Sequence, residues 1–428
     1  MSKVNETLVP DAPPDPTAVT DAPVVPAIPE SLGDYLRVWV SRLKGGDTGI
    51  LPVLLGLFLI SIIFQSLNSH FLTAGNLVNL AVQGAVFMLL AMAEVFVLLL
   101  GEVDLSAGYV AGVGGTIAAK LVADSAGWPW WAAMLIALVC CAAIGAFQGT
   151  IISRLGLPSF IVTLAGLLAW QGLMLFILGT GQGLVPINDK IYSDLANGIL
   201  SPTASWIVMI VIVALFGLVS WSHDARRRRS GLVAPPASFT LLKIAGAAAV
   251  GVVVVLICNT NRGTQFRTLR GVPWVLLIVL AVLALWTFVL GRTKFGRYVY
   301  AIGGNPEAAR RAGINLPLVR TAAFALSSFT AGVAGLVYAS RLRSVSTNID
   351  GGTLVLYAVA AAVIGGTSMF GGQGKARDGV LGGIVIAAIY NGMDLQGYST
   401  AARLIVTAVV LVVAVSIDSL ARRGRTTR

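Results

Sequence analysis

The sequence predicts an all-α protein, a polytopic transmembrane helical bundle of about 12 spans with both termini cytoplasmic. Three observations carry this. Hydrophobic residues fill 56% of the 428 positions and charged residues only 11%, with a mean hydropathy of +0.84, so the lipid bilayer is the solvent such a surface suits. The apolar residues gather into runs of about 17 to 25, the length that crosses a hydrocarbon core as helix. With the N-terminus inside, alternating spans place 22 of the 30 Lys and Arg on the cytoplasmic side, as the positive-inside rule requires.

In chain order, residues 1–48 read as a cytoplasmic, largely disordered segment. Its first 30 residues hold seven prolines and no apolar h-region, so they are not a cleavable signal peptide. A first block of five spans, 49–178, comprises Gly49 to Leu67, Asn76 to Leu100, Ser106 to Ala123, Pro129 to Ile152 and Leu157 to Leu178. The run from Asn76 to Leu100 is long enough to be tilted or broken. An extra pair, Ser205 to Trp221 and Leu241 to Cys258, occupies 205–258 and is joined by a loop carrying Arg226 to Arg229 and Pro235-Pro236. Such an arginine run sets topology. A second five-span block, 272–420, comprises Val272 to Leu290, Leu318 to Ser340, Thr353 to Phe370, Gly379 to Leu395 and Ala401 to Leu420, before a basic cytoplasmic tail at 421–428.

A formal net charge of +11 suits nucleic acid in a soluble protein, but here the charges sit in loops between spans, so no nucleic-acid partner is expected. Cys140, Cys141 and Cys258 lie in or beside spans without ligand spacing and read as packing residues. His70 and His223 are far apart at span ends, which leaves no metal site, no cofactor and no catalytic constellation. No Walker A motif occurs, since Gly374-Lys375 is followed by Ala376 and Met369 stands where the first glycine belongs. The chain is therefore not expected to be an enzyme. Gly108 with Gly112, Gly145 with Gly149, and Gly379 with Gly383 form G-x-x-x-G pairs suited to close helix contact. Gln148-Gly149 and Asn391-Gly392, each with a trailing apolar run, hint at an internal repeat.

The inside loop 291–319 is the most informative stretch. Asn305 is placed to cap a helix starting at Pro306, with Glu307 in its first turn, Arg310 and Arg311 near its end, and Gly313 to stop it. A short polar helix on the cytoplasmic face is thus specified. Physics alone leaves two readings open, a solvated connector or a docking element for a soluble partner.

That segment closely resembles the cytoplasmic coupling loop of the sugar-type (ribose, galactose and xylose) permeases of ABC transporters. Other stretches agree: L-G-E-V-D-L-S-A-G from Leu100 to Gly108, P-S-F-I-V-T-L-A-G from Pro158 to Gly166, V-I-G-G-T-S-M-F-G-G from Val363 to Gly372, and N-G-M at Asn391. The extra span pair, its arginine-rich loop and Arg270-Gly271-Val272-Pro273 are most similar to the xylose-type permease. Glu102, where the commoner pattern has Gly, and Asp394 after N-G-M are departures that leave the sugar open. The resemblance implies the permease subunit of an importer for a monosaccharide in the bacterial cytoplasmic (inner) membrane. It also implies cytoplasmic ABC ATPase subunits, an extracytoplasmic sugar-binding protein and a second permease copy, forming a homodimer. The ATPase-coupling residues would be Gly303, Gly304, Asn305, Pro306, Glu307, Ala308, Ala309, Arg310 and Gly313.

Substrate-pathway candidates come from polar groups that are costly in a span. Glu94, Asp104 and Asp394 are acidic and lie in or near spans, and Gln83, Gln148, Gln171 and Asn391 offer paired donors and acceptors to hydroxyls. Each has a plainer alternative. The amides can bond neighbouring helices, and Asp104 with Ser106 can cap the helix that begins there. Rival functions are an ion-coupled secondary transporter using Glu94 or Asp394, a membrane enzyme, and an ABC permease for a nucleoside or amino acid.

Overall fold

The computed structural model describes residues 49–179, 183–231, 235–263, 268–409 and 412. The expected segments 1–48 and 421–428, and the end of the twelfth expected span, lie outside the described residues. Helices occupy all twelve expected span positions. They are α1 (Leu51–Leu67), α2 (Ala74–Leu98), α3 (Ala107–Val122), α4 (Trp130–Leu155), α5 (Ser159–Leu178), α7 (Pro202–Arg229), α8 (Ala237–Asn259), α9 (Trp274–Arg292), α12 (Leu316–Leu342), α13 (Gly351–Ile364), α14 (Ala376–Leu395) and α15 (Thr400–Val409). Among the described residues, eight of these are long and apolar enough to cross a membrane, whereas α1, α3, α13 and α15 are shorter apolar helices. The run anticipated as tilted or broken is a single helix, α2.

Burial sorts the helices. Helix α2 is enclosed over nearly its whole length, α12 and α14 over most of theirs, and α7 and α8 almost nowhere. The two blocks therefore interleave: α12 of the second lies against α3 and α4 of the first, and α14 lies against α2. Small residues permit this closeness, because lipid provides no hydrophobic drive between helices and van der Waals contact must supply it. All three G-x-x-x-G pairs fall on contact faces. A β-carbon at Gly145 would overlap the Phe324 carbonyl, one at Gly108 the Gly351 carbonyl, and one at Gly379 would lie 2.7 Å from the Met92 amide. Trp286 of α9 meets Phe96 of α2 edge to face at 4.9 Å, tying α9 to the centre.

One end of the bundle carries a small cap that sequence reading did not anticipate. Strands β1 (Leu184–Pro186) and β2 (Ser344–Ser346) pair antiparallel, Val185 opposite Val345. Helix α6 (Lys190–Asn197) starts at Asp189, whose carboxylate accepts the Tyr192 amide at 2.8 Å. It is bound to the end of α12 through Ser340, which donates to the Ser193 carbonyl and accepts the Ala196 amide, both at 2.9 Å. Tyr192 is buried beneath it.

Candidate coupling and pathway sites

On the opposite side of the bundle, α9 leads into a helical hairpin. Thr293 caps α10 (Lys294–Gly304) by accepting the Gly296 amide at 3.2 Å. Asn305 caps α11 (Pro306–Arg311) by accepting the Ala308 amide at 3.0 Å. Glu307 sits in the first turn, 3.6 Å from Arg310 and 3.3 Å from Arg311, where its charge complements the helix dipole. Gly313 ends the segment at φ +81°, and Asn315 caps α12 through the Leu318 amide at 3.0 Å. Gly304, Asn305, Pro306, Glu307, Ala308, Arg310 and Gly313 are exposed, while Ala309 is buried against the bundle.

The base of this hairpin is locked into the bundle. Residues 99–106 link α2 to α3, and residues 365–375 link α13 to α14. The Leu99 carbonyl accepts the Gly372 amide at 2.9 Å, joining the two linkers. Gly303 of α10 packs on that bond so closely that a β-carbon there would overlap the Leu99 carbonyl and reach the Gly372 amide at 2.5 Å. The Tyr300 hydroxyl donates to the Gly374 carbonyl at 2.7 Å. Helix α10 is thereby fixed to both linkers by close contact and hydrogen bonds. Gly303 is thus half-buried at the junction, whereas Gly304 has nothing within 4 Å of its would-be β-carbon.

The linker 99–106 is non-helical and packs against the bundle except at exposed Gly101, so its buried polar groups must find protein partners. Asp104 and Ser106 are fully buried. Asp104 Oδ1 accepts the Ser106 amide at 2.9 Å and the Ser106 hydroxyl at 2.6 Å, and that hydroxyl accepts Gln148 Nε2 at 3.0 Å. The Val103 amide donates to Ser159 Oγ at 3.4 Å and its carbonyl accepts from Thr163 Oγ1 at 3.3 Å. The expected capping takes a different form. Ser106 is the cap residue of α3 but makes no side-chain cap bond, because its hydroxyl is taken up by Asp104 and Gln148. Asp104 folds the turn before the helix rather than capping its first amides. Glu94 is also fully buried, with Asp104 as its electrostatic neighbour. Neither Glu94 oxygen nor Asp104 Oδ2 has a hydrogen-bond partner among the described residues.

The remaining candidates separate. Asn391 Nδ2 donates to Gln83 Oε1 at 3.2 Å, and Asn76 Nδ2 donates to Asn391 Oδ1 at 2.8 Å, so this pair bonds α14 to α2. Gln171 is half-buried on α5 and bonds to neither group. Asp394 lies at the exposed end of α14, paired with Arg403 at 2.9 Å.

Sequence reasoning missed an aromatic group between these helices. Phe87, Tyr357 and Tyr390 come from α2, α13 and α14, with centroids 5.5 Å apart for Phe87 and Tyr357 and 6.3 Å for the two tyrosines. The Arg403 guanidinium stands 5.3 Å from the Tyr390 ring, and Arg341 lies within electrostatic reach of Tyr338, Tyr390 and Asp394. The legible signal was one tyrosine in each of three successive spans, at 338, 357 and 390, which a search for amides and acids passes over.

The chain matches the family described as branched-chain amino acid transport system / permease component over residues 76–415. It is 34% identical to the xylose transport system permease protein XylH of Escherichia coli (strain K12), over 90% of this chain and 95% of that protein. It is 29% identical to the D-allose transport system permease protein AlsC of the same organism, over 85% of this chain and 90% of that one. It is likewise 29% identical to the ribose import permease protein RbsC, over 90% and 96%. No solved structure matches it.

Proposed function

Since the chain belongs to the branched-chain amino acid transport system / permease component family, we propose that it carries a monosaccharide, xylose or a related sugar, inward across a bacterial inner membrane. It is a multi-pass membrane permease and not an enzyme. In this reading ATP is hydrolysed by separate cytoplasmic subunits that grip the exposed tip formed by Asn305, Glu307, Ala308 and Arg310. A sugar-binding protein delivers its cargo to the outer face, and two copies of the permease form the pathway.

The observation that carries the reading is the Gly303 junction. An exposed tip is joined, through Gly303, Leu99 and Gly372, to the two linkers at this end of the bundle. Such an element has the geometry to convert a pull on the surface into rearrangement of the interior. The tyrosines at 338, 357 and 390, with Arg341 and Arg403, supply ring faces beside hydrogen-bond donors, which suits a neutral polyhydroxylated solute. The sugars for which XylH, AlsC and RbsC are named favour a sugar over an amino acid or nucleoside.

The test is reconstitution of the permease with its ATPase subunits and binding protein in proteoliposomes. Xylose, allose and ribose are each expected to be screened for stimulation of ATP hydrolysis and for ATP-dependent uptake. Uptake that proceeds without ATP and collapses with the proton gradient would instead establish an ion-coupled carrier.

A further inference from the structure

We propose that Arg341 touches the transported solute and sets its specificity, donating hydrogen bonds to two neighbouring hydroxyls of a neutral sugar whose ring lies against the tyrosines at 338, 357 and 390. This rests on the importer reading and names the residue that reads the cargo. The helices leave a place for it. Both α12 and α14 lie along α2, and α14 also lies along α13, but α12 and α14 make little contact with each other. The interval between them is therefore spanned by side chains. Tyr338 and Arg341 of α12 stand three residues apart and share a face, as do Tyr390 and Asp394 of α14, four apart. Arg341 lies within electrostatic reach of Tyr390 and Asp394, so the two faces look toward one another. Tyr357 of α13 and Phe87 of α2 complete the group, each in ring contact with Tyr390. Tyr338, Arg341 and Tyr390 are only half-buried, so the described residues do not seal the space among them.

The donor inventory singles out Arg341. Arg403 is engaged, bonded to Asp394 at 2.9 Å and 5.3 Å from the Tyr390 ring. Asp350, within electrostatic reach of Tyr338 and Tyr357, accepts the Thr353 amide at 3.0 Å and the Thr353 hydroxyl. Arg341 has no hydrogen bond or ion pair with any described residue. Its five N–H donors sit in a planar fork, and a half-buried site that leaves them unmet is costly. Two adjacent sugar hydroxyls present acceptor oxygens side by side, which the fork can meet with parallel bonds. Charge points to a neutral cargo: Arg341 and Arg403 are balanced by Asp394 and Asp350, so the group offers a solute no net charge of either sign. The tyrosine rings cover the apolar face of such a sugar.

The test uses the complex of permease, ATPase subunits and binding protein in proteoliposomes. Uptake is measured for whichever of xylose, allose or ribose wild type carries, and for the monodeoxy analogues of that sugar, each at saturating concentration. Wild type is expected to prefer the parent sugar over the two analogues that each lack one of a pair of adjacent hydroxyls. Arg341→Met, which removes every donor, is expected to reduce that preference about tenfold. One binding protein serves every variant, so its own discrimination cancels. Arg341→Lys, which keeps the charge but not the fork, is expected to retain the preference at one hydroxyl and lose it at the other; it decides on the same readout if Arg341→Met does not assemble. A merely structural arginine would lower melting temperature and the uptake of all these sugars alike, leaving the preference intact. Undiminished preference at both hydroxyls in either variant overturns the assignment and leaves the importer reading standing, as does a wild type indifferent to every missing hydroxyl. A wild type that carries no sugar overturns the importer reading and this assignment with it.

Discussion

Glu102 and Arg320 form an ion pair at 3.5 Å, both largely withdrawn from solvent, between the linker that follows α2 and the second turn of α12. The pair ties the interior linker to the helix that leaves the coupling segment, so it adds a second connection beside the Gly303 junction. Breaking one partner of an enclosed pair strands the other charge, at a cost of about 3 kcal/mol in the fully buried limit. Glu102→Arg is therefore expected to lower both melting temperature and uptake. The exchanged pair, Glu102→Arg with Arg320→Glu, should recover most of the melting temperature; an exchange no better than the single variant removes the pair from the account.

Two adjacent glycines separate coupling from folding. Gly304→Ala has open space and gains the helix propensity of alanine, about 0.5 to 1 kcal/mol, so stimulated ATP hydrolysis should stay at the wild-type level. Gly303→Ala forces α10 away from the Leu99 carbonyl. Its expected signature is normal membrane insertion with at least tenfold lower substrate-stimulated hydrolysis. Equal behaviour of the two variants would show that the close contact carries no signal.

At the tip, Glu307→Lys puts a positive charge against the helix dipole and breaks two exposed pairs with Arg310 and Arg311. The dipole effect is about 0.3 to 1 kcal/mol, too little to unfold the bundle. Loss of stimulated hydrolysis then reports the interface itself. A cysteine at exposed Ala308 should crosslink to the ATPase subunit; absence of any crosslink together with full activity of Glu307→Lys makes the segment a plain connector.

Asp104 presents one oxygen to the Ser106 amide and hydroxyl, and asparagine has an oxygen able to accept both bonds. Asp104→Asn should thus keep the assembled protein and much of its uptake, whereas Asp104→Ala should lose about 1 to 3 kcal/mol as the Ser106 groups are left unmet. If Asp104→Asn abolishes uptake by a stably assembled complex, the ionised carboxylate has a role beyond folding the turn.

The arginines predict the orientation. A single cysteine at exposed Ser230, beside Arg229, should be silent to a membrane-impermeant maleimide applied to intact cells and reactive after the membrane is opened. Efficient labelling of intact cells inverts the topology.

Much of this was legible in the residues themselves. Asn305, Pro306, Glu307 and Gly313 announce a capped helix because capping is a local negotiation between a side chain and amides three residues away, and the structure forms it as written. The spans were equally plain, since crossing a bilayer demands apolar length. The Gln83 and Asn391 pair was legible only as two polar residues, because their meeting depends on α14 lying against α2. The pairing of Asp394 with Arg403 was illegible for the same reason: it becomes visible only when the helix ends are fixed in space.

The sequence by itself therefore determined the solvent, the apolar runs and the short capped helix between α9 and α12. Each depends on length, hydropathy or contacts within a few residues. The tertiary structure alone decided which helices are central, that Gly303 touches Leu99 and Gly372, that Glu102 meets Arg320, and that three tyrosines from separate spans converge. The reason is physical. In lipid both the outward and the inward faces of a helix are apolar, so no hydrophobic pattern marks the packed side, and the partner is chosen by close fit between surfaces far apart in the chain.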